Sequence, residues 1–409
     1  MIINKDAGKT VSILGSTGVI GRKTLRLLNL DKKHYKIVAL TANRNFALLA
    51  QQTRLTQPEI VAIADSSCYK ALKQELGSSV EILAGEEGLE YAASAEADWI
   101  MSAITGFAAL VPTMAAIKCC KTLALANKEA LVCAGQLLVA EAKASKVNVI
   151  PVDSEHNAIF QILQNNTSQK QIESITLTAS GGPFYQHTLQ QMQSITPEEA
   201  LNHPTWSMGG KITIDSATIM NKGLEIIEAH HLFSLSPSQI KVVIHPESIL
   251  HGLVNFCDGS ATAVLSHPDM DIPISTSFSW PQRTTTQAQK LDLAQLGQIS
   301  FTEPDERRFP ALKLAKEALA KGGNYPIALN AANEVAVRAF LDHEIRFLDI
   351  MRVIEEGISK ITHQTSLSLP EIIRQDETAR QTARKIISSL YPRKQDYKTR
   401  RLRALYASS

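Results

Sequence analysis

Apolar runs punctuate the first third of the chain at positions 10–14, 36–40, 60–64, 80–83, 99–103, 122–126 and 147–152. They are continuous rather than alternating with polar residues. Segments of helical spacing, such as 46–55 and 128–145, lie between them. Continuous runs suit parallel strands covered on both faces, and strand–helix alternation supplies the covering helices. The pattern predicts a doubly wound α/β region. A further strand is predicted at 174–179. From 309 onward the period becomes helical, at 309–321, 327–341, 348–360 and 371–391. Asn330, Asn333 and Glu334 interrupt an otherwise apolar stretch there. They either face solvent or carry contacts from these helices to a site elsewhere.

At 409 residues, two or three domains are expected. The chain is 44% hydrophobic and 20% charged, as in soluble globular proteins. A net charge of +2 gives no dominant attraction to nucleic acid or anionic membrane. The five cysteines show no metal-ligand spacing, which points to free thiols in a reducing cytoplasm. The longest apolar stretch, 104–117, is broken by Thr105, Gly106, Pro112 and Thr113 and is too short to span a bilayer. No signal or transit peptide is evident, so a cytoplasmic location is expected.

The first turn reads Gly15-Ser16-Thr17-Gly18-Val19-Ile20-Gly21, between the first strand and a helix running to Leu28. Glycines permit the tight turn, and the helix N-terminus offers free N–H groups to a pyrophosphate. The end of the second strand, Thr41-Ala42-Asn43-Arg44-Asn45, lacks the acid that binds a ribose 2′-hydroxyl. Arg44 is either a fork for a 2′-phosphate, which favours NADP(H), or an ordinary exposed arginine.

Pro151-Val152-Asp153-Ser154-Glu155-His156-Asn157 follows the last of the seven runs. In an extended backbone residues two apart share a face, so Asp153 and Glu155 would aim at one point. An oxygen-only cluster suits Mg²⁺ or Mn²⁺; the other reading is a solvated acidic turn. Ser180-Gly181-Gly182 can present a hydroxyl and N–H groups to a phosphate, or be a plain turn. His203 to Gly210 puts Trp206 and Met208 in a Pro/Gly-punctuated loop, either a lid or a loop pinned by a buried tryptophan. On a helix, Asn221 and Lys222 each adjoin Glu225, as a site or as a surface ion pair.

These motifs, with Asn127-Lys128-Glu129 and the run Asp215 to Glu225, occur in an order that closely resembles the 1-deoxy-D-xylulose 5-phosphate reductoisomerase family, over nearly the whole chain. The resemblance implies an N-terminal Rossmann-type NADPH domain (1–150) and an α/β catalytic domain (151–283) with a mobile lid near 199–210. A linker (284–308), a C-terminal helical bundle (309–392) and a basic tail (393–409) follow. It implies a homodimer that reduces a rearranged sugar phosphate with NADPH and Mg²⁺ or Mn²⁺, Co²⁺ being a further candidate. The metal ligands implied are Asp153, Glu155 and Glu225. Ser180, Ser216, Asn221 and Lys222 match phosphate ligands. Lys128, Ser154 and His203 match sugar contacts, and Trp206 and Met208 the lid. Gly15, Ser16, Thr17, Gly18, Val19, Ile20, Arg44, Asn45, Asn127, Glu129 and Gly209 match cofactor positions. Val19 replaces a common serine and Gly210 a common basic residue. A simple dehydrogenase, a non-catalytic NADPH-binding regulator and a nucleic-acid binder are rival readings; the intact carboxylates and the near-neutral charge stand against them.

Overall fold

The first seven apolar runs become strands β1 (Lys9–Leu14), β2 (Tyr35–Ala42), β3 (Ile60–Ile63), β4 (Glu81–Ala84), β5 (Ala97–Ser102), β6 (Cys120–Leu125) and β7 (Asn148–Pro151). The structure, a computed structural model, describes residues 8–30, 32–164, 168–206 and 208–391. The expected basic tail and Ser207 of the expected lid lie outside the described residues. All pairings in this sheet are parallel, in the order β4-β3-β2-β1-β5-β6-β7. Its middle is dry: Val11, Ile13, Leu40, Val61, Trp99, Ile100 and Leu123 are fully buried. The strand order reverses between β1 and β5, which opens a crevice beyond their carboxyl ends. The turn after β1 requires glycine there. Gly15 has φ +85°, and a Cβ on it would lie 2.7 Å from the Ala103 carbonyl oxygen just after β5.

A second sheet, ordered β11-β10-β8-β9, is built from β8 (Ile172–Ala179), β9 (Ile240–Ile244), β10 (Leu250–Phe256) and β11 (Ala261–Leu265). β8 and β9 are parallel; β10 runs antiparallel to β8 and β11. The helix Asp271–Ser279 then returns to the first sheet. The Trp99 indole donates to the Ser277 carbonyl at 2.8 Å, and Arg26 pairs with Asp271. The second sheet is thereby strapped to the first.

Residues expected to be a linker run along β9, where Ile244 and Thr302 exchange backbone hydrogen bonds of 2.8 and 3.0 Å. Four helices follow: Ala311–Lys321, Tyr325–Leu341, Asp349–Ser359 and Leu369–Leu390. The last opens with a capping box between Ser368 and Glu371. The helix Tyr325–Leu341 is buried over most of its length, including Asn330 and Asn333, which are fully buried. It packs on the helix Glu129–Ala144 of the first sheet's layer and on Gly210–Ala217 of the middle region. The bundle therefore touches both regions that flank the crevice. Among the described residues, no helix is long and apolar enough to cross a membrane.

Candidate active site

The crevice at the reversal point opens into a cavity of about 670 Å³. Its walls come from the glycine turn, the ends of β5, β6 and β7, the loop after β8, and the helices Gly210–Ala217 and Met220–Phe233. At its floor, oxygen atoms of Asp153, Glu155 and Glu225 lie within 4.8 Å of one another. Strand alternation does not bring the first two together. β7 stops at Pro151, Asp153 precedes the helix Ser154–Leu163, and Glu155 sits in that helix's first turn. The turn from strand to helix swings both carboxylates to the same side, so the expected pair forms by a different local geometry.

Two ammonium groups neutralise the acids. Lys128 Nζ lies 2.6 Å from Asp153 Oδ2 and 3.1 Å from Glu225 Oε1. Lys222 Nζ lies 2.8 Å from Glu155 Oε1 and also pairs with Glu225. Asn221 joins them, donating to Glu225 Oε1 at 2.6 Å and accepting from Lys128 at 2.8 Å. Burial pushes the Asp153 carboxyl upward, but Lys128, His156 and Lys222 outweigh it and hold the group well below the carboxylate range. Glu155 ends up raised: burial, opposed by Lys222, is reinforced by Glu225 and Asp153. Asp153 Oδ1 is buried without a hydrogen-bond partner. Three clustered hard oxygen donors, one with a spare buried lone pair, fit a divalent cation.

Behind the cluster lies a pair that the sequence did not reveal. His156 Nδ1 is 3.1 Å from Glu228 Oε2, and its Nε2 is 3.0 Å from the Glu225 carbonyl oxygen. Burial lowers the imidazole pKa, but Glu228 and Asp153 overcome it and push the group up to about 9. His156 therefore braces the backbone of one acid and neutralises another. The only sequence signal was the i,i+3 spacing of Glu225 and Glu228.

A second cluster lines the same cavity, at the loop after β8 and the helix Gly210–Ala217. His203 Nε2 is 3.1 Å from both Ser180 Oγ and Ser216 Oγ. Its Nδ1 accepts from the backbone N–H groups of Thr205 and Trp206. Nδ1 is thus the unprotonated nitrogen, and Nε2 carries the proton toward the serines. Burial lowers the His203 pKa, in keeping with a neutral ring. Gly181 and Gly182 adopt φ of +83° and +69°, and a Cβ on Gly182 would lie 2.5 Å from the Ser216 carbonyl oxygen. Between the two helices, Ile219 is held at φ +61°, an unfavourable conformation for a β-branched residue. It sets the bend that lets Ser216 and Lys222 face the same cavity.

Three segments of the chain match family models for 1-deoxy-D-xylulose 5-phosphate reductoisomerase. Residues 11–135 match the model of that name, 149–233 its C-terminal domain, and 265–382 the DXP reductoisomerase C-terminal domain. A reductoisomerase from Wolbachia pipientis subsp. Culex pipiens is 49% identical over 386 residues, 93% of this chain and 98% of its own length. The chain belongs to the 1-deoxy-D-xylulose 5-phosphate reductoisomerase family. The Zymomonas mobilis enzyme solved in complex with NADPH is 46% identical and superposes with a TM-score of 0.87, over 94% of this chain and all of that one. A reductoisomerase solved with NADPH, fosmidomycin and magnesium is 40% identical, also at a TM-score of 0.87, covering 93% of this chain and 99% of that one.

Within this family member, the expected site residues divide by position. Lys128, Ser154, Ser180, Trp206, Met208, Ser216, Asn221 and Lys222 line the cavity with the three acids. Asn221 and Lys222, expected at a phosphate, also reach the carboxylates, Asn221 donating to Glu225 at 2.6 Å and Lys222 to Glu155 at 2.8 Å. Of the expected cofactor positions, Gly18, Val19, Ile20, Asn127, Glu129 and Gly209 line the cavity. The Glu129 carboxylate accepts from Lys211 at 2.6 Å and from Asn127 at 2.7 Å. Ser16 is fully buried and donates to Gln52 at 2.7 Å, so its hydroxyl is not free for a phosphate. Arg44 projects outward and pairs with Asp65 at 2.6 Å. The Asn45 side chain caps the helix Phe46–Thr56.

Proposed function

We propose that this chain performs the reaction of its family. That reaction is the NADPH- and divalent-metal-dependent rearrangement and reduction of 1-deoxy-D-xylulose 5-phosphate to 2-C-methyl-D-erythritol 4-phosphate, in isoprenoid precursor biosynthesis. The observation that carries this reading is the convergence of Asp153, Glu155 and Glu225 at the floor of the crevice between β1 and β5. A dinucleotide site and a hard-cation site then share one cavity. Simple hydride transfer needs no such cluster.

The glycine turn and the N-terminus of the helix Val19–Asn29 would hold the NADPH pyrophosphate. Asp153, Glu155 and Glu225 would hold Mg²⁺ or Mn²⁺. Bound there, the two groups supply hydride and Lewis acidity. The remaining work falls to side chains. Ser180, Ser216 and protonated His203 Nε2 offer three polar groups to the substrate phosphate, and Lys222 and Asn221 stand between that patch and the acids. Lys128 keeps its proton, since the pairing of its buried ammonium with Asp153 and Glu225 outweighs the cost of burial and raises its pKa. Its ammonium lines the cavity and offers hydrogen bonds to substrate oxygens. Ser154, beside Glu155, presents a hydroxyl to the same oxygens. Trp206 and Met208 supply apolar surface that excludes water while the carbon skeleton rearranges.

Two further readings belong to the same proposal. β11 is an edge strand with half-exposed residues, including Leu265 at 37%. An edge open to pairing with a second copy supports a homodimer. The absence of metal-ligand cysteine spacing and the five free thiols support a cytoplasmic setting. The decisive assay is NADPH oxidation by the purified protein with 1-deoxy-D-xylulose 5-phosphate, with Mg²⁺ and with a chelator. Substrate-dependent oxidation that the chelator abolishes is expected; oxidation indifferent to the chelator refutes the three-acid reading.

A further inference from the structure

The C-terminal bundle reaches the cofactor crevice through one partly buried carboxylate. Glu334, on the helix Tyr325–Leu341, accepts the Phe107 backbone N–H at 2.9 Å through Oε1. Residues 103–107 form the loop after β5, and Ala103, Ile104 and Thr105 line the cavity beside the glycine turn. Gly106 in that loop has φ +79°, and a Cβ there would stand 2.9 Å from Glu334 Oε1. Carboxylate and loop thus fit each other closely. The second oxygen of Glu334 is fixed at 2.6 Å by Arg380 of the last helix, which also pairs with Asp376. The Arg380 guanidinium lies 5.8 Å from the centre of the Phe107 ring.

The contact belongs to a closed circuit. Asn127 donates to the Ile104 and Gly106 carbonyls at 2.9 and 3.1 Å, and to Glu129 at 2.7 Å. Glu129 pairs with Lys211 at 2.6 Å, Lys211 with Asp215 at 2.8 Å, and Asp215 accepts from Asn333 at 2.8 Å. Asn333 is the neighbour of Glu334 in the bundle. Two adjacent bundle residues therefore hold both walls of the crevice: the loop after β5, and the helix Gly210–Ala217 that begins where the expected lid ends.

We propose that Glu334 is a positioning residue for NADPH: the bundle sets the conformation of the 103–107 loop and so the affinity of the crevice. A largely desolvated salt link that only adds stability would be costly for the purpose, since an apolar pair of similar volume does as well. Binding Phe107 N–H, by contrast, fixes the end of the 103–107 loop away from β1, where the short helical turn Phe107–Ala109 begins. Loss of a charge-assisted hydrogen bond, transmitted in part to the ligand, corresponds to about a 10-fold loss in binding.

The proposal rests on the crevice being the NADPH site, and NADPH titration of the full wild-type chain by nicotinamide fluorescence tests that separately. If the wild type does not bind NADPH, both readings fall. If it binds, Glu334→Ala is expected to raise Kd about 10-fold and the NADPH KM in proportion, with kcat at saturating NADPH within about 3-fold. Glu334→Gln keeps an acceptor for Phe107 N–H and is expected to stay within about 3-fold of wild type. Arg338→Ala, which breaks the exposed Arg338–Asp342 pair on the same helix, should leave Kd unchanged. A lower melting temperature for Glu334→Ala with Kd within about 2-fold of wild type overturns the proposal and leaves a structural clamp. Should Glu334→Ala not yield folded protein, Arg380→Gln carries the test, because it leaves Glu334 in place but unanchored. A Kd raised about 3-fold supports the proposal, and an unchanged Kd overturns it.

Discussion

Replacing Lys222 by methionine removes a charge from the acid cluster while keeping most of the stem's volume. The Lys222 side chain is 4% exposed and sits between Glu155 and a fully buried Glu225. Without the ammonium, Glu155 loses its cation, because Lys128 reaches Asp153 and Glu225. The least costly relief is a proton on Glu155, whose carboxyl is already raised. From its ordinary 4.5, protonation at pH 7 costs at most about 3.4 kcal/mol, that is about 2.5 pH units at 1.36 kcal/mol each. At pH 5.5 the ceiling falls to about 1.4 kcal/mol. The variant's folded state binds the extra proton, so its stability relative to wild type should fall as pH rises across that window. A cation in the cluster offers the other relief. At about 100 times its dissociation constant, Mg²⁺ adds about 2.7 kcal/mol to a protein that binds it only when folded. In wild type part of this gain is spent on moving Lys222 aside; in the variant none is. Denaturant unfolding of both proteins, at pH 5.5 and 7, with EDTA and with Mg²⁺, measures all of these differences. Equal Mg²⁺ increments in the two proteins would refute the idea that ammonium and cation compete for one place.

Asp153→Asn and Glu225→Gln should each lower turnover by about 100- to 1,000-fold at low Mg²⁺, on the scale of a lost electrostatic stabiliser, while NADPH binding persists; near-normal turnover in either removes that ligand. Arg44→Ala should weaken NADPH by roughly 1.5–3 kcal/mol and leave NADH alone, and because Arg44 pairs with Asp65 in this structure, Asp65→Asn should not do the same. Equal losses for NADPH and NADH would exclude a 2′-phosphate contact. His156 is raised from 6.5 to about 9, so its pairing stabilises the fold fully below pH 6.5 and is lost as pH rises through about 9. Urea unfolding between pH 6 and 9.5 should show that slope in wild type, and Glu228→Gln should flatten it; an unchanged slope would point to another group.

The sequence was most legible where one local property sufficed. β1 to β7 stood out because strands buried on both faces are apolar throughout, and their polar ends, such as Lys9 and Tyr35, blurred only the boundaries. β9, β10 and β11 were not foreseen. Gly252 and His251 break β10, and β11 is a short, largely exposed Ala-Thr-Ala-Val-Leu; β10 owes its form to pairing with β8, which lies far away in sequence, and β11 to pairing with β10. Motif order made the family legible, yet the reason given for Asp153 and Glu155 was a strand that ends before them. Buried charge was the least legible property. Lys211 and Asp215 showed only an i,i+4 spacing, and His156 and Glu228 showed none that ordinary surface residues lack. Burial of an ion depends on what meets it. Lys128 is held by Glu225, 97 residues away, and Glu334 by a backbone N–H 227 residues away. A local reading sees residue types, and the desolvation cost that singles out a site residue arises only when distant partners are placed around it. Asn333, Glu334 and Lys211 are therefore where the three regions of the chain constrain one another, and where substitutions should separate stability from cofactor affinity.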